Sequence, residues 1–353
     1  MSHSIKIVGT GLLGTSLGLA LARHGITAGL VNQSKANLRL AIEYGAGEEF
    51  EGEPELVIVC VPPDITAEKV LEQLELHPGA IVTDVASVKS EIAAQVAAGS
   101  EHAELYVGSH PMAGREKGGP GSARADLFFA RPWVITPTKH NPQVAVDRLK
   151  DLALQLGALP IVMSPEEHDR AVAAVSHLPQ LVASALAARL TSVEQAELNL
   201  AGQGLRDTAR IAASDPGLWV QILSQNAAAV APLIGDVASE LSDLQESLSK
   251  IDQQGALAKI HSLLERGNEG VSRIPGKHGG KFVDYHQLTV VIDDSPGALA
   301  SLLTFVGDIG VNIEDLKLEH SPGAQIGLVE LQVLPSAAEH LSAQLTSNGW
   351  RLV

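Results

Sequence analysis

The sequence predicts an α/β domain, then an all-helical domain, then a small α+β domain, and three observations carry that reading. Up to about residue 164, short apolar runs alternate with helical periods, the mark of a parallel sheet. From Glu166 to about Gly270 the periodicity is helical and no convincing strand interrupts it. After a Pro- and Gly-rich linker over residues 273–281, the order is strand, helix, strand, strand, helix, strand, which is ferredoxin-like. We therefore expect domains at residues 1–164, 165–275 and 284–353.

In order, residues 4–8 read as a strand and 12–24 as a helix stopped by Gly25. A strand over 28–32, a helix over 35–44 ending at Gly45 and a strand over 56–61 closed by Pro62-Pro63 follow. A helix over 65–74 and strands over 80–85, 133–137 and 160–163 complete the first sheet. Pro179 falls inside one long apolar-rich helix and is expected to kink it. In the last domain the expected strands are 288–292, 311–320, 326–333 and 350–353, with helices at 297–306 and 337–348.

Composition narrows the function classes. Hydrophobic residues make up 45% and charged residues 19%, as in a folded globular chain, and aromatics only 3%, which favours helix-rich packing. A net charge of −16 argues against a nucleic-acid partner, while leaving room for an anion in a local basic pocket. The lone Cys60 sits in an apolar run and is expected to be a small buried hydrophobe on a strand. Without a disulfide framework, and with a strand starting too early for a signal peptide, the expected compartment is the cytoplasm. No apolar run looks long enough to span a bilayer, so no membrane partner is expected.

The turn Gly9-Thr10-Gly11-Leu12-Leu13-Gly14 follows a strand and opens a helix, the context a Rossmann-like dinucleotide site requires. Gly9 permits the tight turn, Gly11 lets backbone approach a pyrophosphate, and Gly14 allows close packing of helix on strand. The expected cofactor contacts are Gly9, Gly11, Leu12, Leu13 and Gly14, then Asn32, Ser34 and Lys35 after the second strand, and Val61 and Pro62 after the third. Asn32 stands where an acidic residue often binds a ribose hydroxyl; it would not repel a 2′-phosphate, so NAD and NADP are both open.

Ser87 follows the strand ending near Val85, and either faces a cleft at the C-terminal sheet edge or caps the next helix. His110, in a loop before Pro111, has a side chain suited to general-base work, though it is one of 13 histidines. Arg206 and Arg210 lie one helical turn apart, so two guanidinium forks can share one face and clamp a dicarboxylate, unless the face is simply solvated and paired with Asp207. His177 either lines the same cleft or packs in its helix. No metal site is expected.

These segments resemble the prephenate/arogenate dehydrogenase family of tyrosine biosynthesis. The resemblance rests on the glycine turn, Asp84-Val85-Ala86-Ser87-Val88-Lys89, His110-Pro111-Met112-Ala113-Gly114-Arg115-Glu116, Arg131-Pro132-Trp133, Ser176-His177-Leu178-Pro179 and the run from Arg206 to Pro216. They occur in family order over roughly residues 4–270; the His-Pro-Met-Ala-Gly and Arg-Asp-x-x-Arg-Ile-Ala segments are specific, the glycine turn is not. Asp294-Ser295-Pro296-Gly297-Ala298-Leu299 and Gly310-Val311-Asn312-Ile313 resemble an ACT domain, a module that commonly binds regulatory amino acids.

The resemblance implies oxidative decarboxylation of prephenate to 4-hydroxyphenylpyruvate, or of arogenate to tyrosine. His110 matches the histidine that takes the ring-hydroxyl proton, and Ser87 the serine that orients it. Arg210 matches the arginine that holds a substrate carboxylate, and Arg206 a basic position reading the side-chain end. Glu116 and Asp207 match acidic residues that pair with the site arginine, and His177 a histidine lining the pocket. A homodimer is implied, as is an aromatic amino-acid effector near Gly310 and Asn312. The chain departs from the family pattern at Ala86, at Gly202-Gln203-Gly204-Leu205 and at Asn32. Two other readings compete. A β-hydroxyacid dehydrogenase or imine reductase would lack the His110 loop and an ACT tail. A non-enzymatic amino-acid sensor would not need Ser87, His110, Arg206 and Arg210 together.

Overall fold

The computed structural model describes residues 4–115, 117–275, 285–320 and 326–353. The chain divides into two compact units, residues 1–238 and 239–353.

The first unit begins with β1 (Ile5–Val8), α1 (Leu12–Arg23), β2 (Gly29–Val31), α2 (Lys35–Glu43), β3 (Glu48–Glu49), β4 (Leu56–Val59), α3 (Pro63–Leu76) and β5 (Ile81–Asp84). These strands form one sheet in the order β3-β2-β1-β4-β5, parallel throughout. All four residues of β1 and of β4 are buried, as strands covered by helices on both faces must be. The short β3 went unread because its Glu48-Glu49 sequence has no apolar signal. Cys60 lies one residue past β4 and is half-buried, since the strand ends at Val59 and not at Val61.

After α4 (Ser90–Gly99) come β6 (Gly108–Pro111), β7 (Pro132–Thr136), α5 (Gln143–Gln155) and β8 (Leu159–Val162). They correct two expectations. The strands near 133 and 160 do not complete the first sheet: they form a second, three-stranded sheet, β6-β7-β8. His110 does not lie in a loop but on β6, antiparallel to β7 and opposite Val134. A four-residue strand reading Gly-Ser-His-Pro shows no alternation a sequence reader could use.

The helical part contains α6 (Pro165–Val172), α7 (Leu178–Arg189), α8 (Gln195–Leu198), α9 (Gln203–Arg210), α10 (Pro216–Gln225), α11 (Ala227–Ser249) and α12 (Ala256–Ser272). Pro179 falls in the first turn of α7, and a π-helical segment, Ala173–His177, joins α6 to α7 in place of a simple kink. The segment ends two residues before Pro179, whose nitrogen carries no hydrogen to donate to a preceding carbonyl. The continuous helix Pro165–Ser192 is 28 residues long with a window hydropathy of 1.5, so one apolar helix does reach spanning length and composition, contrary to expectation. Its His168, Asp169, His177 and Gln180 are nevertheless buried, and each is hydrogen-bonded to another part of the unit.

The second unit takes in the end of α11 and all of α12; after them β9 (His286–Asp293), α13 (Ala298–Asp308), β10 (Asp315–His320), β11 (Ile326–Val333), α14 (Pro335–Ser347) and β12 (Arg351–Leu352) follow the expected βαββαβ order. The antiparallel sheet runs β10-β11-β9-β12. β10 starts at Asp315, four residues later than expected, and β12 is two residues long. Val290, Val329, Leu331, Leu302, Leu341 and Leu345 form its core.

Candidate active site

The glycine turn fits a dinucleotide. Gly9 has φ +100°, and a Cβ there would collide with the Cys60 carbonyl; one on Gly14 would collide with the Gly9 carbonyl. Gly11 faces open space, so a bound pyrophosphate could approach its backbone. No side chain caps α1 and its first turn carries no acid, leaving the positive end of the helix for an anion. The Thr10 hydroxyl beside it is buried with no partner among the described residues. After β2, Asn32 Nδ2 donates to the Ser34 carbonyl (3.2 Å), Ser34 Oγ caps α2 by accepting from Asn37 N (3.3 Å), and Lys35 is exposed. Val61 packs on the core and Pro62 is the N-cap of α3.

Asp84, at the C-terminal end of β5, organises the next part of the site. Its side chain has no solvent exposure and accepts from Tyr106 OH (2.9 Å), Ser109 N (3.3 Å) and Ala86 N (3.0 Å), besides an ion pair with the equally buried Lys89. Those donors fill a carboxylate's acceptor positions and compensate a charge that would otherwise be costly to bury. Burial pushes the Lys89 ammonium down, and Asp84 opposes that shift. The bonds fix the turn that carries Ser87. The N-cap of α4 is Lys89, so Ser87 does not cap that helix. Ser109 Oγ also donates to the Asp84 carbonyl (2.8 Å), which ties β6, and with it His110, to the end of β5.

His110 Nδ1 lies 2.9 Å from His168 Nε2, with the two rings edge to face. His168 Nδ1 lies 2.8 Å from Asp169 Oδ1. Asp169 in turn accepts from Lys89 N (2.9 Å) and Ser90 N (2.8 Å) at the start of α4. His168 is fully buried and Asp169 nearly so. Burial, then the neighbouring His168, Lys89 and His177, hold the His110 imidazole well below the ordinary histidine value, so it is neutral at neutral pH. His177 is buried against the Trp219 ring, 5.8 Å between centroids, and its Nδ1 accepts from Asn226 Nδ2 (3.2 Å). Burial lowers its pKa to about 4.

Arg206 and Arg210 share α9, one turn apart and exposed. Arg206 donates to the Ala201 carbonyl (3.3 Å), and Asp207 accepts from Gln203 Nε2 (2.8 Å). Arg210 lines a cleft of about 610 Å³ with Gly114, Arg115, Lys117 and Ser122. Arg115, in the segment after His110, donates to the Ser122 carbonyl (2.9 Å). Glu116 lies outside the described residues. Gly310 has φ +74° just after α13, and Asn312 donates to Glu314 Oε1 (2.7 Å).

Sequence reasoning missed His168, Asp169, Trp219 and Asn226, and gave no role to Asp84 and Lys89. His168 and Asp169 lie in a run of polar residues, 166–170, that opens an Ala-, Val- and Leu-rich helix, so no local signal sets the pair apart.

Two family models match the chain: prephenate dehydrogenase, nucleotide-binding domain, over residues 17–162, and prephenate dehydrogenase, dimerization domain, over residues 164–264. The first match begins after the glycine turn, whose role therefore stands on its own geometry. A probable prephenate dehydrogenase of Streptomyces niveus is 33% identical, covering 98% of each chain. A cyclohexadienyl dehydrogenase of Zymomonas mobilis is 29% identical over 70% of this chain and 89% of its own. Among solved structures, the prephenate dehydrogenase of Aquifex aeolicus in complex with hydroxyphenyl propionate and NAD+ matches with TM-score 0.66 and 26% identity, covering 76% of this chain and 98% of its own. The arogenate dehydrogenase of Synechocystis matches with TM-score 0.62 and 29% identity, over 76% and 98%.

Proposed function

Since the chain belongs to the prephenate dehydrogenase family, we propose that it is a homodimeric cytoplasmic enzyme in which His110 starts the reaction, Ser87 orients it and Arg210 holds the substrate. The family activity is an NAD(P)-dependent oxidative decarboxylation in tyrosine biosynthesis. The substrate is prephenate or arogenate, which differ only in a keto or amino group on the side chain.

The observation that carries the assignment is a neutral, half-buried His110 whose Nδ1 is already engaged by His168. Its Nε2 is left to accept the proton of the ring hydroxyl. Bound nicotinamide supplies the hydride acceptor for the carbinol carbon. The carbon–carboxylate bond then breaks, carbon dioxide leaves, and its electron pair completes the aromatic ring. His110 returns the proton to the phenolate oxygen, so the histidine ends as it began. Arg210 pairs bidentately with a substrate carboxylate in the basic cleft, and Arg206 reads the side-chain end. His177, neutral and packed edge to face on Trp219, lines the substrate pocket in this reading, and Asp207 and Glu116 are assigned to pair with the site arginine. Cofactor is held by Gly9, Gly11, Leu12, Leu13, Gly14, Asn32, Ser34, Lys35, Val61 and Pro62.

The domain boundaries we assign are 1–164, 165–275 and 284–353. The last is an ACT domain that binds an aromatic amino acid near Gly310 and Asn312; its βαββαβ order supports this. The match to a dimerization domain supports the dimer, as do Val175, Val182 and Leu186, apolar residues exposed on the helix from Pro165 to Ser192. Mixing the protein with prephenate or arogenate, each with NAD or NADP, and following nicotinamide absorbance tests the assignment. Reduction in at least one mixture is expected; none in all four, from folded protein, would overturn it. Saturating tyrosine, phenylalanine or tryptophan should lower the rate, and no change with any of them would remove the effector.

A further inference from the structure

We propose that His168 and Asp169 are positioning residues that lock His110 in the tautomer with an unprotonated Nε2 and then share the proton it takes. The inference rests on the reading of His110 as the base. Its logic starts at Asp169, where two backbone donors, Lys89 N at 2.9 Å and Ser90 N at 2.8 Å, converge on the carboxylate at the positive end of α4. Burial raises the Asp169 pKa, yet the hydrogen bonds from His168 and Ser90 outweigh it and hold the group below the ordinary carboxylate value. An ionised carboxylate can only accept.

The rest follows donor by donor. His168 Nδ1, 2.8 Å from Asp169 Oδ1, must carry a hydrogen. With its single ring hydrogen on Nδ1, His168 has only a lone pair at Nε2. His110 Nδ1, 2.9 Å from that lone pair, must donate to it. The one remaining ring nitrogen, His110 Nε2, is therefore bare and ready to accept. When the substrate hydroxyl gives its proton to Nε2, the Nδ1 proton can pass to His168 Nε2. The positive charge then rests on the His168 ring against Asp169 instead of on His110, whose neighbours include the Lys89 ammonium. Reversing both transfers delivers a proton back to the phenolate oxygen. No proton is gained or lost over the cycle.

The direct test is nitrogen NMR of the full-length enzyme carrying 15N-labelled histidine, near neutral pH, with the His110 signals assigned through His110→Asn. Hydrogen on Nδ1 and none on Nε2 of His110 is expected; hydrogen on Nε2 would overturn the inference. A second arm uses His168→Phe, which keeps a ring but removes the acceptor. Its turnover should fall by about 10-fold or more, with the substrate KM within about 3-fold, because the lost function is proton handling and not binding. Wild-type turnover in His168→Phe would equally overturn it. If the variant does not fold, the wild-type spectrum decides alone. A wild-type enzyme that reduces nicotinamide with either substrate yet shows the wrong tautomer refutes this inference and leaves the proposed function standing.

Discussion

The proton-handling centre and the arginine helix are built in opposite ways. Around Asp84, Lys89, His110, His168 and Asp169 nearly every polar atom is buried and partnered, and two carboxylates tie β5, β6, α4 and α6 into one network. On α9, Arg206 and Arg210 are both exposed, and Arg210 lines an open cleft. A group that must hold one tautomer and one pKa needs fixed neighbours, whereas groups that capture a charged substrate must stay reachable. Changes in the first region should therefore cost stability or turnover, and changes in the second should cost affinity.

The largest effect should come from Asp84→Ala, which leaves the Lys89 charge buried without its partner: a loss of about 3–5 kcal/mol in denaturant unfolding is expected. An effect below about 1 kcal/mol would mean the pair does not anchor the network. Next is His110→Asn, for which turnover should fall at least ~100-fold while cofactor affinity, measured by fluorescence titration, stays near wild type. Arg210→Ala should act mainly on KM, raising it about 10- to 100-fold, the worth of a charge-assisted hydrogen bond. An unchanged KM there would erase the distinction between the two regions. pH sharpens it further. The His177 pKa is lowered from 6.5 to about 4, so the unfolded chain binds its proton first as pH falls. The contribution of keeping His177 neutral is full above pH 6.5 and is lost between there and about 4, and Tm measured across that window should fall accordingly. The smallest effect should be that of Ser34→Ala, which removes the α2 cap and about 1 kcal/mol of stability.

The same contrast explains what was legible in the sequence. Regular periodicity made β1, α1, β4 and the βαββαβ order readable, and Gly9 and Gly14 marked their turn because no side chain fits there. The two arginines were legible from a spacing of four on one helix. The proton-handling centre was not, because it joins residues 84, 110 and 169 through long-range hydrogen bonds that leave no local pattern. The strand that carries His110 is hidden as well, because four residues ending in proline carry no alternation. The π segment before Pro179 was likewise hidden, since a proline predicts a break in the ladder but not the form it takes.

In the proposed reaction His110 starts an oxidation coupled to loss of carbon dioxide. It is tested most directly by measuring carbon dioxide released and nicotinamide reduced in the same reaction, for wild type and His110→Asn. One carbon dioxide per reduced nicotinamide in the wild type, with both falling together at least ~100-fold in the variant, is the expected result. Nicotinamide reduction without carbon dioxide, or an undiminished rate in His110→Asn, would contradict it.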